Sequence, residues 1–130
     1  MKKLILFTAV LFLAVSCKKT DKTPLGPTDI RVRNLTTVDM SDMTVNTFDS
    51  TYNYGLLKAD SISDYHRFDR AYPKANISAI INGQKYKTDT AIYAWMQYLG
   101  PDKITYEIYI SNDAQKKLAI FNVIHESPIK

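Results

Sequence analysis

Cysteine is all but missing from this chain: Cys17 stands alone among 130 residues. An internal disulfide is thereby excluded, and the fold must hold together by apolar burial. Histidine is nearly as scarce. His66 and His125 match no zinc-site spacing and read as solvated residues at strand ends, so no metal or other cofactor is expected. The 4 glycines form no phosphate-cradling loop, and no nucleophile elbow is present. The acidic residues, nearly all aspartate, include no pair singled out for glycosidic cleavage. Past the N-terminal leader, basic residues cluster only as Lys18-Lys19 and Lys116-Lys117. The electrostatic footprint of a nucleic-acid-binding protein is therefore absent.

One long apolar run is present. Leu4 to Val15 is broken only by Thr8 and follows Lys2 and Lys3. At about 1.5 Å per residue it reaches about 18 Å, short of a hydrocarbon core of about 30 Å. The positive start, short apolar centre and small residues at the end make residues 1–16 a cleaved secretory signal. Ala14-Val15-Ser16-Cys17 resembles a lipobox, in which the cysteine thiol is alkylated with diacylglycerol before cleavage. Leucine is commoner where Ala14 stands. The alternative is an ordinary signal peptidase that cuts at the same bond and leaves Cys17 bare. The expectation is lipidation at Cys17, which would tie the chain to a membrane.

Removing residues 1–16 from 130 leaves 114, enough for one domain. Of 17 basic residues Lys2 and Lys3 leave with the leader, so 15 face 13 acidic ones and the net charge falls from +4 to +2. After Cys17, Lys18 to Thr28 carries Pro24, Gly26 and Pro27 and has no apolar period. Residues 17–28 read as the lipidated cysteine and a linker of about 36 Å at full stretch, and residues 29–130 as the domain.

Within the domain the period is two. Ile30 and Val32 alternate with Arg31 and Arg33, and Met43 and Val45 with Thr44 and Asn46. Asp49 to Asn53 reads as a loop, Lys58 to Ser61 as a turn, and Ser63 to Tyr72 as a strand stopped by Pro73. Asn82-Gly83 predicts a type I′ hairpin. Ile77, Ala79, Ile81 and Tyr86 then share the core face. Ala91 to Leu99 fits either a strand or a short helical turn. Ile104, Tyr106, Ile108 and Ile110 make the clearest core face, with Thr105 on the solvent parity. Lys117 to His125 is apolar on both parities, which suggests burial on both sides. About seven short strands predict an all-β fold: a small antiparallel β-sandwich of immunoglobulin-like architecture, with a small β-barrel as the alternative.

The segments Val32-Arg33-Asn34-Leu35, Met43-Thr44-Val45-Asn46-Thr47, Tyr54-Gly55-Leu56-Leu57, Ser63-Asp64-Tyr65 and Ile104-Thr105-Tyr106-Glu107-Ile108 together resemble small uncharacterised lipoproteins of Bacteroidetes-type bacteria. The resemblance implies a lipobox, a short linker and one β-sandwich-like domain, and it brings no catalytic residue. In such bacteria acidic residues after the lipidated cysteine accompany surface display. Here Lys18, Lys19, Thr20 and Asp21 follow it, which favours the periplasmic face of the outer membrane. Asp49-Ser50-Thr51, Asp60-Ser61-Ile62 and Asp89-Thr90-Ala91 match the O-glycosylation sequon of the same bacteria. About 0.7 matches are expected by chance from this composition, so Ser50, Ser61 and Thr90 are candidate acceptors. Asp-Ser and Asp-Thr are also good turn formers.

Tyr93 and Trp95 are candidate ligand-stacking aromatics, since flat apolar rings can face sugars. The alternative is core packing, and the lone tryptophan is expected to be buried. The expected function is a non-catalytic, lipid-anchored accessory or binding module of the cell envelope, with a protein or glycan partner. The alternative is a small envelope enzyme whose site has no sequence signature. Cys17→Ser should release the protein from the membrane or leave it unprocessed, because acyl chains contribute about 0.8 kcal/mol per buried CH₂ to anchoring. Membrane fractionation checks this, and a processed variant that stays with the membrane would contradict it.

Overall fold

Period-two patterning becomes eight strands: β1 (Thr28–Asn34), β2 (Met40–Asn46), β3 (Thr51–Leu57), β4 (His66–Phe68), β5 (Asn76–Ile81), β6 (Gln84–Lys87), β7 (Asp102–Asn112) and β8 (Lys117–His125). The structure is a computed structural model and describes residues 26–126. Cys17, the leader and most of the linker lie outside the described residues. No helix occurs among the described residues. All eight strands join one sheet in the order β3-β2-β5-β6-β8-β7-β1-β4. Most neighbours are antiparallel, while β1 with β7 and β6 with β8 are parallel.

The terminal strands of that order meet. Tyr52 of β3 stacks on His66 of β4 with ring centroids 3.6 Å apart and planes 8° from parallel. Beside them Tyr54 Oη donates to the Ile30 carbonyl at 2.6 Å. The sheet is thus rolled into a nearly closed barrel. The protein is all-β, as expected, and the single rolled sheet matches the barrel alternative.

Inward-facing residues fill the interior: Ile30, Val32, Val45, Ile77, Ala79, Ile104, Tyr106, Ile108 and Leu118 are all buried. Tyr106 sits wholly inside and donates its hydroxyl to the Tyr72 carbonyl at 2.5 Å, so its polar end is satisfied. Burial pushes its phenol well above the usual range because the phenolate would lose its water. The Asn34 amide is also buried. It donates to the Val38 carbonyl at 2.8 Å and the Leu57 carbonyl at 3.2 Å, and accepts from Thr36 N at 2.8 Å. That side chain ties the β1–β2 connection to the end of β3.

The hairpin forms as read. Asn82 and Gly83 have φ of 51° and 78°, and Ile81 pairs with Gln84 and Ala79 with Tyr86. Other local readings change. β3 already begins at Thr51, so Tyr52 lies in a strand and not in a loop. Of the expected strand Ser63–Tyr72, only His66–Phe68 is regular, with one further bridge from Ile62 to Arg33. Met40 and Met43 have opposite parity, yet both are buried. A bulge at Asp42 (φ 50°) re-aims the strand between them, as bulges do where a sheet must bend.

Two corrections concern the long strands. Thr105 is 2% exposed, not on a solvent face. β7 lies between β1 and β8, and long side chains of β1 cover its outer face. Arg31 Nε donates to Thr105 Oγ1 at 3.0 Å, and Arg33 lies 3.8 Å from the Glu107 carboxylate. The mixed parity of β8 reflects a register shift opposite Glu107 and Ile108, not burial on both sides. It turns Phe121 outward at 66% exposure. Ile108→Ala should cost about 2–5 kcal/mol as a large-to-small core change. Thr105→Ala should cost about 1 kcal/mol through the lost Arg31 bond. Urea denaturation of the two variants measures both, and a Thr105→Ala protein as stable as the parent would mean that bond contributes nothing.

Candidate functional site at the aromatic loop

β6 is only four residues long, and the chain then leaves the sheet. Thr88 N donates to the Ile77 carbonyl at 2.9 Å, so the backbone turns towards β5 and away from β8. From there to Pro101 it runs as an irregular loop tied down along its length. Ala91 N donates to Asn76 Oδ1 at 2.7 Å, and Tyr93 Oη donates to the Asn46 carbonyl at 3.3 Å. Leu99 N donates to the Ala71 carbonyl at 2.9 Å, and Thr28 Oγ1 donates to the Gly100 carbonyl at 2.5 Å.

The stretch Ala91–Leu99 is therefore neither strand nor helical turn. Met96 N donates to the Tyr93 carbonyl at 3.0 Å, closing a tight turn with Ala94 and Trp95 at its tip. Trp95 is 92% exposed, which overturns the expectation of burial. The space it would need is already taken by other rings. Tyr72, beneath the loop, meets Tyr93 at 4.7 Å, Tyr98 at 5.4 Å and Phe48 at 6.3 Å between centroids. Tyr93 thus packs inward, and burial raises its phenol above the usual range. Of the two candidate stacking residues, Trp95 faces solvent and Tyr93 anchors the turn that presents it. Ile92, next to Tyr93, is exposed as well.

Departure of the loop opens a cleft in the sheet. β6 and β8 pair at Lys87 and Lys117, and beyond that pair the loop swings out. A cavity of about 430 Å³ lies between them, floored by Leu118, Ala119 and Ile120 and walled by residues 88–92 and Met96. Across the mouth Lys117 Nζ donates to Asp89 Oδ1 at 2.8 Å. That bond holds the Asp89 carboxyl below its usual range. On β6 itself Tyr86 Oη donates to Asp113 Oδ1, and this bond raises the tyrosine.

The remaining candidates are dispersed. Ser50 lies in the β2–β3 turn, Ser61 donates to the Lys58 carbonyl at 2.7 Å, and Thr90 is exposed on the cleft wall. His66 aligns with Ile30, Ile104 and His125 along one row of the sheet. Three strand spacings, about 14 Å, therefore separate the two histidines. His125 instead meets Asp102 at 2.7 Å. Among the described residues no three His, Cys, Asp or Glu side chains are grouped to hold a metal ion. Sequence reading missed the cleft, whose floor and wall are far apart in the chain. The one local hint was the mixed parity of β8.

No family model matches the chain, and no curated protein matches it. Among solved structures, an NMR structure of a protein from Eubacterium rectale is similar, with a TM-score of 0.51 at 16% identity. The similarity covers 79% of this chain and 96% of that one. At such identity the likeness concerns the fold. Trp95 should emit close to free tryptophan and be readily quenched by iodide. Trp95→Ala should change stability by no more than about 0.5 kcal/mol. Blue-shifted, iodide-resistant emission would place the indole inside.

Proposed function

We propose that this protein is a lipid-anchored binding module of the cell envelope, held through Cys17 on the periplasmic side of the outer membrane and engaging a protein or glycan through its aromatic loop. It acts without catalysis, by presenting a rigid recognition surface at the end of a short tether. The observation that carries this reading is Trp95, 92% exposed at the tip of a loop tied to the barrel at several points. Isolated exposed apolar residues are ordinary. Here, however, the lone tryptophan and Ile92 are exposed together on a segment held by hydrogen bonds and by ring packing beneath it. Ordering such a loop in advance lowers the entropy cost of recognition, and tryptophan is the side chain most enriched at binding hot spots.

The leader and lipobox support the address. The short linker supports a domain that stays near the membrane while turning freely. The three sequon hydroxyls at Ser50, Ser61 and Thr90 are proposed O-glycosylation sites, all placed outside regular strands. Intact-mass analysis of the native protein tests them. For recognition, full-length protein in detergent micelles is titrated with soluble envelope glycans and with outer-membrane protein extracts, alongside Trp95→Ala. The variant should keep its thermal midpoint and lose binding. Unchanged binding by Trp95→Ala would remove the loop from the recognition surface.

A further inference from the structure

The cleft beside the loop also says what kind of ligand fits. We propose that the β8 edge beyond Lys117 receives a short, extended, acidic peptide segment of an envelope partner, added as a strand in the gap between β8 and the 88–96 loop. This rests on the binding-module reading and narrows its partner to a polypeptide.

The gap is a break in hydrogen bonding. β8 pairs with β7 from Lys117 to His125 but meets β6 at the single Lys87–Lys117 pair. Past that point the β6-facing backbone groups of β8 have no strand beside them. Backbone N–H and C=O groups require partners, and a free strand edge is a template for another strand. The register shift opposite Glu107 and Ile108 interrupts the regular edge near Phe121, so the docked strand is short. The cleft agrees with that limit, because its floor is Leu118 to Ile120.

Side chains around the edge set the chemistry. Leu118, Ile120, Ile92 and Met96 line the cleft, so alternate residues of the docked strand are apolar. Lysines dominate the surroundings. Lys74 stands on the rim, and Lys87 and Lys116 line the adjoining recess. The acid among these lining residues, Asp89, is already engaged by Lys117. The remaining alternate positions of the segment are therefore acidic. Trp95 adjoins Met96 of the cleft wall in the chain, so its fluorescence reports on that wall.

The test uses full-length protein in detergent micelles. The probes are a capped eight-residue peptide alternating glutamate with valine, the same peptide with lysine for glutamate, the acidic peptide N-methylated at alternate amides, and a neutral oligosaccharide. The acidic peptide should bind, slow amide exchange at Ile120, whose N–H lies on the open edge, and shift Trp95 fluorescence. N-methylation, the lysine peptide, and the Lys74→Glu, Lys87→Glu double variant with the acidic peptide should each weaken binding by about tenfold or more. Failure of the acidic peptide to bind overturns the proposal, as does equal binding of the N-methylated form. Trp95-dependent binding of the oligosaccharide alone overturns the peptide inference and leaves the binding-module reading standing. Protection of β8 that grows with protein concentration and without peptide overturns it in favour of a second copy. If no probe binds and Trp95→Ala is silent towards envelope extracts, both readings fall.

Discussion

Closing one sheet on itself is the constraint on which this small domain depends. Without a disulfide, an open eight-stranded sheet would leave two edges and a wet inner face. The closure is made by side chains and not by a backbone ladder. Tyr52 stacks on His66, and the Tyr54 hydroxyl reaches the Ile30 carbonyl. That bond is bought by burying a phenol, which is why the Tyr54 hydroxyl titrates well above its usual range. Behind the seam Tyr106 serves as a fully buried core residue, with its hydroxyl satisfied on the Tyr72 carbonyl.

The rolled sheet has two weak places, and they are handled differently. At the β3–β4 seam aromatic rings cover the join. Between β6 and β8 the chain leaves a cleft, because the parallel strands are staggered and the last residue of β6, Lys87, pairs with the first of β8, Lys117. The excess length of β8 faces the 88–101 loop instead of another strand. The loop cannot collapse onto it. Tyr93 is drawn into the cluster with Tyr72 and Phe48, and Leu99 is hydrogen-bonded back to Ala71. Those anchors hold Ile92 and Met96 as a wall and Trp95 as a projecting tip. The proposed recognition surface is therefore a product of strand stagger and aromatic anchoring.

Local pattern carried much of the fold. The alternation in β1, β5 and β7 and the Asn82-Gly83 turn were legible because side-chain parity and positive φ are properties of a few neighbouring residues. Bulges defeated the same logic. Met40 with Met43, and the two parities of β8, obey no single period until the extra residue is counted. Thr105 was misplaced for a different reason. Its parity was read correctly, but Arg31 and Arg33 lie over that face, and only the pairing of β1 with β7 brings them there.

What the sequence alone determined is the class of structure: strands, a tight hairpin and an apolar core with no covalent staple. The proposed address and modification sites likewise rest on patterns read along the chain without folding: the apolar run before Cys17 and the three Asp-Ser and Asp-Thr pairs. Tertiary structure decided which strands are neighbours, how the sheet closes, and that the lone tryptophan is outside. Burial is a competition for a fixed interior volume. Tyr93 and Tyr98, on either side of Trp95 in the chain, both pack on the buried Tyr72 from a distant segment. No local rule could foresee that they would leave Trp95 in water.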